Sequence, residues 1–414
     1  MKIPSVLHNK QFIKLWISQM CTVTGLNIVN FVLLLRLFDR TGSTLAASFL
    51  WISYSLPILL VGPIAATVVD IVNKKRLLTI TTLLQALTIL LFLFTGDRYF
   101  LLYAIMFIYS LFSQFYLPSE SATLPNLVRK EDLPEANGMF LLTKQAGMLI
   151  GYGSAGFLTL LLGFQSTIIL CSSLLALACI SVISLPTMKA IRKINVEQDL
   201  AQFFSKVGEG YLFIKNNKSI LYPVLLVAGS EMIMLIVAIN MPALARDILH
   251  IRIENAATYI IIPALTGALA GVMLFPKLLK QGLRKKTIIK TALLILAFCF
   301  LAIGLLLNFL PIPTRLWMLP ILCLVAGFCF IGVEIPAQTF MQESTPPEMM
   351  GRLWGNLWFM STIATIAPMF LSASITEFLG VDTFFVILGI VIFIAWFYAE
   401  RQIKDHSMEP IKEE

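Results

Sequence analysis

Long apolar runs separated by short polar connectors dominate the pattern of this chain. A helix needs about 20 mostly apolar residues to cross the hydrocarbon core of a bilayer. Twelve runs reach that length, and we predict that each forms a membrane-spanning helix. They cover residues 15–37, 44–69, 77–95, 99–117, 139–162, 165–186, 220–241, 256–276, 287–308, 317–340, 353–376 and 383–400. The pattern therefore predicts an all-α membrane protein with twelve transmembrane helices.

The longest polar stretch, residues 187–219, divides the apolar runs into two groups of six. We predict that residues 1–186 and 220–400 form two six-helix halves, and that residues 401–414 form a cytoplasmic tail. Within the connector, apolar residues recur at nearly helical spacing, which is typical of a helix lying on the membrane surface. A plain connector is the alternative interpretation.

An internal repeat supports this division into halves. The sequence reads "YLPSESATLPNLVRKEDLPEANG" at the end of span 4 and "EIPAQTFMQESTPPEMMGRLWGN" at the end of span 10. Aligning Pro118 with Pro336 pairs Glu120 with Gln338, and the offset is about half the chain. The two halves are therefore predicted to be parallel structural repeats.

The composition supports a membrane location and excludes several classes of protein. Apolar residues make up 58% of the chain and charged residues only 13%, whereas a soluble domain carries about 25% charged residues. This excludes a soluble enzyme, a nucleic-acid-binding protein and a disordered chain. Most of the 31 Lys and Arg residues fall on the side of the membrane that holds the N-terminus. The positive-inside rule therefore predicts that both termini are cytoplasmic.

The residues that usually bind metals or perform catalysis are poorly placed for either role. The six Cys residues lie inside apolar runs without the paired spacing of a zinc site, and the three His residues lie in polar segments. The sequence shows no intramembrane His and no pair of carboxylates on one helix. We therefore expect that the protein has no metal centre and is not an enzyme.

Three sequence motifs resemble those of the major facilitator superfamily. The connector "GPIAATVVDIVNKKRLL" is similar to the family pattern G-x-x-x-D-[RK]-x-G-[RK]-[RK]. Asp70, Lys74, Lys75 and Arg76 occupy its charged positions. The sequence departs from the pattern at Ala66, Ile71 and Asn73. The strings "LPSESATLPNLVRKEDLPEANGM" and "PAQTFMQESTPPEMMGRLWG" resemble stretches of the branch that exports macrolides and siderophores.

This resemblance implies a secondary transporter in which two halves rock around a central cavity. In the family, an acid at the position of Asp70 contacts the start of span 11 and latches the outward-facing state. We expect the latch to include Asp70, Lys74, Lys75, Arg76, Glu120 and Arg352. The alternative is that the three cations only anchor the connector at an anionic lipid surface.

Ionisable residues inside the apolar runs are the strongest candidates for the transport chemistry, because charge inside a membrane is costly. Glu231 lies near the middle of span 7, Glu334 lies in span 10, and Lys144 lies near the start of span 5. A carboxylate near the midplane can exchange protons as access alternates. The alternatives are a neutral Glu bonded between helices and an ion pair with Lys144.

Amides on spans 1 and 4 are candidates for substrate contact. Asn27 and Asn30 share one face of span 1, and Gln114 follows Ser110 by one turn of span 4. The resemblance implies that spans 1, 4, 7 and 10 line the cavity. Packing between helices is the alternative role for such amides.

Span 5 carries the small residues Gly147, Gly151 and Gly156 in a run similar to the family's antiporter motif. Tyr152 stands where that motif has Pro, which weakens the argument for antiport from this motif. The run favours close packing of span 5 against a neighbouring helix.

Together these features lead to one functional hypothesis. We expect an exporter of an amphipathic small molecule, such as a drug, a siderophore or a secreted metabolite, driven by proton antiport without a cofactor. Import of a small solute by the same fold is the alternative. The expected setting is the bacterial inner or plasma membrane, with the protein as a multi-pass monomer and with no nucleic-acid partner.

Overall fold

A computed structural model describes residues 5–96, 98–129, 132–187, 208–209, 211–212, 214–216, 218–345 and 347–405. Most of the connector, including the predicted surface helix, lies outside the described residues, as do the last nine residues of the chain. The described residues form helices joined by short turns.

The first half begins with four separate helices. They are α1 (Lys10–Thr41), α2 (Thr44–Ile71), α3 (Lys74–Leu91) and α4 (Tyr99–Leu127). A helical run of 51 residues, Leu133–Ile183, follows them. It would be about 75 Å long if straight, more than twice the roughly 30 Å of a bilayer's hydrocarbon core.

Gly163 breaks this run into two helices. Its backbone has φ 75° and ψ 168°, so the helix does not continue through it. Glycine is suited to this conformation because it lacks a Cβ atom. We label the part before Gly163 α5 and the part after it α6.

The second half contains six helices in the described residues. They are α7 (Lys218–Ala243), α8 (Ile262–Lys280), α9 (Lys285–Leu305), α10 (Ile312–Glu343), α11 (Pro347–Leu379) and α12 (Val381–Asp405). Short π-helical turns, Leu244–Ile248 and Ala257–Ile261, lie between α7 and α8.

The helix count agrees with the twelve predicted spans. Ten helices among the described residues are long and apolar enough to cross a membrane. One of them, Glu135–Ile183, contains both α5 and α6, and the shorter apolar helix Val381–Phe397 belongs to α12. Counting α5 and α6 separately and adding α12 gives twelve helices in the described residues, so the predicted all-α fold with twelve transmembrane helices is confirmed.

Residue contacts divide the chain into two units. The first contains Met1–Thr41 and Phe49–Phe204, and the second contains Gly42–Ser48 and Ser205–Glu414. The second unit therefore includes the turn after α1 and the first residues of α2, Thr44–Ser48.

Close packing of α1 against α5 organises the first unit. A Cβ atom added to Gly147 would lie 2.7 Å from Val23 Cγ1, and one added to Gly151 would lie 2.4 Å from Asn27 Cβ. Only glycine allows such an approach between the two helices. The prediction that this glycine run packs against a neighbouring helix is confirmed.

A similar contact joins α8 and α10 in the second unit. A Cβ atom on Gly267 would lie 1.8 Å from the carbonyl oxygen of Leu324, and one on Gly327 would lie 1.9 Å from that of Ala264. The two backbones are therefore in direct contact, which fixes the position of α10 within this unit.

Candidate functional site

Glu334 on α10 is a buried carboxyl group with only part of its hydrogen-bonding capacity used. Its side chain is 8% exposed. Gln338, one turn further along α10, donates from Nε2 to Glu334 Oε1 at 2.6 Å. Glu334 Oε2 is buried and has no hydrogen-bond partner among the described residues. A buried polar atom without a partner requires an explanation, and a ligand, ion or water that binds there is one.

Glu231 on α7 lies close enough to Glu334 for their charges to interact. Its own side chain is half-buried. The neighbouring Ser230 also lies beside Glu334, and its hydroxyl donates to the carbonyl oxygen of Leu226 at 2.8 Å. Both acids are recognisable separately in the sequence, and the structure brings them together inside the second unit.

The chemistry of this carboxylate pair follows from its setting. Two negative charges near each other in an apolar environment repel, and the repulsion is relieved when a proton or a cation joins them. The amide of Gln338 bonds one oxygen of Glu334, whereas the other oxygen is unpartnered. The arrangement is therefore suited to binding and releasing a cation, of which a proton is the smallest.

Asn30 on α1 and Tyr152 on α5 form a polar contact in the first unit. Their side chains lie close to each other, and Asn30 Oδ1 is buried with no partner among the described residues. The ring of Tyr152 also meets Phe31 edge-on, with 5.9 Å between the ring centroids. The residue that replaces the family's Pro thus supplies a hydroxyl and an aromatic face.

Further aromatic groups of α2 adjoin this contact. Tyr54 lies near Tyr152, and its side chain also lies beside Ser113 of α4. Trp51 meets Tyr54 edge-on at 6.3 Å, and Trp51 Nε1 is buried without a partner among the described residues. The places of Trp51 and Tyr54 could not be predicted from the sequence, because an aromatic residue on an apolar helix carries no signal of which face it occupies.

The other candidate amides bond to nearby backbone. Asn27 Nδ2 donates to the carbonyl oxygen of Val23 at 2.9 Å, and Asn27 also packs against Gly151. Gln114 Nε2 donates to the carbonyl oxygen of Ser110 at 3.2 Å. These bonds are local to α1 and α4, and a role for either amide in substrate contact stays a prediction.

Glu120 on α4 is held by a tyrosine of the same helix. The hydroxyl of Tyr116 donates to Glu120 Oε1 at 2.8 Å and lies 3.4 Å from Ser18 Oγ of α1. Glu120 is buried. Its expected role in the latch stays a prediction.

The three cations that follow Asp70 have different surroundings. Lys74 is buried, and its Nζ donates to the carbonyl oxygen of Ala122 at 3.3 Å, near the C-terminal end of α4 where a cation is favoured. Lys75 is half-buried and Arg76 is exposed. Asn73, a departure from the family pattern, caps α3 because its Oδ1 accepts from the Arg76 backbone N–H at 3.2 Å.

A sequence comparison identifies the family. The sequence model of the Major Facilitator Superfamily matches residues 15–368 of this chain. The chain belongs to this superfamily. It is therefore a multi-pass membrane transporter, and the predicted resemblance is confirmed.

Members of the superfamily align with nearly the whole chain. The MFS-type transporter YfiS of Bacillus subtilis is 23% identical over 94% of this chain and 92% of its own length. Macrolide efflux protein A of Streptococcus pyogenes is 22% identical over 92% of this chain and 93% of its own. The crystal structure of the nucleoside transporter NupG superposes with a TM-score of 0.69 at 13% identity, covering 95% of this chain and 99% of that one. This last likeness concerns the fold alone.

The structure describes the side chain of only one of the remaining three candidate residues, Lys144, Asp70 and Arg352. Lys144 is exposed on α5. The side chains of Asp70, on α2, and Arg352, on α11, lie outside the described residues. The latch between them stays a prediction.

Proposed function

We propose that this superfamily member exports an amphipathic small molecule in exchange for protons. In this account, protons bind and leave the Glu231–Glu334 pair as the pair becomes accessible to each side of the membrane in turn. The substrate moves in the opposite direction through the same cycle.

The observation that carries the proposal is the unpartnered carboxyl oxygen of Glu334. A carboxyl group kept in an apolar environment is stable only while its hydrogen bonds are satisfied or its charge is neutralised. Glu334 Oε2 has no partner among the described residues, and the nearby charge is another acid, Glu231. An unpartnered carboxyl oxygen beside a second acid supports proton binding at this pair, and proton binding there would couple transport to a proton gradient.

The aromatic and amide groups of the first unit support an amphipathic substrate. Ring surfaces come from Trp51, Tyr54 and Tyr152. Asn30 Oδ1 is a buried acceptor and Trp51 Nε1 is a buried donor, and both lack partners among the described residues. Such groups bind apolar ring surfaces and a few polar atoms at the same time. Export of a macrolide by the Streptococcus relative, as its name states, is consistent with this class of substrate.

The setting follows from the charge pattern and the family. We infer that both termini are cytoplasmic and that the protein lies in the bacterial plasma membrane as a monomer. The proton gradient supplies the energy, so we expect no cofactor. Among the latch residues, Asp70 is expected to stabilise the outward-facing state.

Metabolite profiling of cells and spent medium, with the gene intact and deleted, tests direction and substrate together. Export predicts a compound that accumulates inside the deletion strain and disappears from its medium. A compound left unconsumed in the medium of the deletion strain would show import, and the export proposal would be wrong.

A further inference from the structure

Gln85 on α3 is a buried amide whose polar atoms are unpartnered. Its side chain is 0% exposed, and neither Oε1 nor Nε2 has a hydrogen-bond partner among the described residues. An amide side chain can donate two hydrogen bonds and accept two. Lipid cannot supply these bonds, so a polar group at membrane depth is satisfied from within the protein or by an ordered water.

Tyr109 on α4 carries a second unpartnered group. It is 1% exposed, and its hydroxyl oxygen is buried with no hydrogen-bond partner among the described residues. Tyr116 shows the usual arrangement on the same helix, because its buried hydroxyl donates to Glu120 Oε1 at 2.8 Å. A buried Tyr hydroxyl normally has such a partner, so the Tyr109 hydroxyl requires an explanation.

The packing of α3 on α4 places Gln85 level with Tyr109. The start of α3 bonds the end of α4 through Lys74, so the two helices run antiparallel. Leu78 of α3 and Tyr116 of α4 belong to one cluster of buried residues. Gln85 follows Leu78 by seven residues, and Tyr109 precedes Tyr116 by seven. Seven residues make nearly two turns and return to almost the same face of a helix, so Gln85 and Tyr109 lie at one level of the first unit.

Two hydrogen bonds fix the position of α6 beside this level of α3. Ser172 Oγ donates to the carbonyl oxygen of Ala86 at 2.9 Å, and Cys179 Sγ donates to that of Thr79 at 3.6 Å. The residue numbers rise on α6 as they fall on α3, so these helices also run antiparallel. Ser172 therefore lies level with Ala86, the neighbour of Gln85.

Helix α4 reaches the same level through α6. Tyr109 lies near Cys171, the buried residue that precedes Ser172 on α6. Gln85 and Tyr109 are therefore brought to one level twice, once by the packing of α3 on α4 and once through α6. All three helices belong to the first unit. A thiol is only a weak donor and a weak acceptor, so Cys171 adds little hydrogen bonding here.

We propose that a water molecule binds between Gln85 and Tyr109 and bridges α3 to α4 inside the first unit. Gln85 Nε2 donates to the water, and the water donates to Gln85 Oε1 and to the Tyr109 hydroxyl oxygen. Water both donates and accepts, so it suits a site that offers a donor beside acceptors. A buried water typically makes about three hydrogen bonds, which matches the unpartnered atoms of the two side chains. The proposal is independent of the direction of transport and of its coupling.

Replacing either side chain by an apolar one of similar shape distinguishes a bridging water from a dry site. Gln85→Met and Tyr109→Phe should each lower the melting temperature of the purified protein in detergent by about 2–4 °C, as expected for one hydrogen bond in a unit of this size. Each variant deprives the remaining group of the shared water. The double variant should therefore fall by less than the sum of the two single shifts.

A dry site predicts the opposite sign. Each substitution would then remove buried polar atoms that lack partners, and the melting temperature should stay the same or rise. That result in either single variant would overturn the proposal. Shifts that add in the double variant would also overturn it, because two residues that share one water do not act independently.

Radiolytic footprinting tests for the water in the wild-type protein, and so needs no variant that folds. X-ray exposure turns a bound water into a hydroxyl radical that modifies the side chains beside it, and mass spectrometry measures the rate at each residue. Tyr116 is the matched control, because it is 2% exposed and its hydroxyl is bonded within the protein.

The proposal predicts faster modification at Tyr109 than at Tyr116 in the wild-type protein, and a fall to the Tyr116 rate in Gln85→Met. Equal rates at the two tyrosines of the wild-type protein would overturn the proposal. An unchanged Tyr109 rate in Gln85→Met would also overturn it, because the water would then be held without Gln85.

Discussion

Glu334 on α10 and Glu231 on α7 lie within one unit, close enough for their charges to interact. Each acid raises the cost of charge on the other, so the pair favours a state that holds at least one proton. The pairing is therefore the strongest structural support for proton exchange in this chain.

Replacing Glu334 by glutamine should abolish export driven by a proton gradient, because Gln cannot bind and release a proton at this position. Exchange of labelled for unlabelled substrate across vesicles should persist, since that reaction needs no net proton movement. Both activities are measured at matched protein levels with the compound identified by metabolite profiling. We expect Glu231→Gln to show the same separation of the two activities.

Glu343 provides the matched control on the same helix. It is exposed and forms an ion pair with Lys285, so Glu343→Gln should leave both activities unchanged. Gradient-driven export at the normal rate in Glu334→Gln would contradict the proton-site assignment. Loss of exchange as well would show that the side chain binds substrate or maintains the fold.

Tyr116→Phe should destabilise the first unit by about 1–3 kcal/mol, because it removes a donor from a buried carboxyl group. The lost bond is the 2.8 Å contact from the Tyr116 hydroxyl to Glu120 Oε1. Denaturant unfolding in detergent micelles measures the difference. Tyr211→Phe is the control, since that side chain is 43% exposed. Equal stability of the two variants would show that the Tyr116 bond contributes little.

Gly151→Ala should destabilise the α1–α5 contact by about 1–3 kcal/mol through overpacking. The new methyl group would lie 2.4 Å from Asn27 Cβ, whereas a Cβ atom on the neighbouring Gly153 would meet nothing within 4 Å. Gly153→Ala should therefore be neutral or slightly stabilising, since alanine favours a helix more than glycine does. Thermal unfolding of the purified variants distinguishes the two, and equal melting temperatures would contradict the packing described for α1 and α5.

Asp70→Asn should slow transport by shifting the conformational balance. The family resemblance assigns Asp70 to a latch that stabilises the outward-facing state, so its loss favours the inward-facing state. Inside and outside labelling of an introduced cysteine measures the shift, and a transport assay measures the rate. Unchanged labelling with unchanged transport would contradict the role of Asp70 in the latch.

The sequence predicted the twelve-helix fold well, because the length of an apolar run and the bilayer thickness fix where a helix crosses. The boundary between spans 5 and 6 had no strong signal in the sequence. The helical run Leu133–Ile183 continues through the predicted connector between spans 5 and 6 and is broken only by the positive φ of Gly163. Hydropathy separates the two spans but gives no geometry for the break.

The candidate site was less predictable, because it depends on which faces of different helices meet. Glu231 and Glu334 were recognisable one by one from the cost of charge in a membrane, but their pairing requires the packing of α7 on α10. Asn73 matched no family position, yet it caps α3.

Proton movement in reconstituted liposomes tests the central claim most directly. The purified protein is incorporated with a pH-sensitive dye inside, and the exported compound is then placed on one side only. Antiport predicts that protons move against the direction of the compound, and that Glu334→Gln removes this proton movement while Glu343→Gln keeps it. Protons moving with the compound, or no proton movement during transport, would contradict the account.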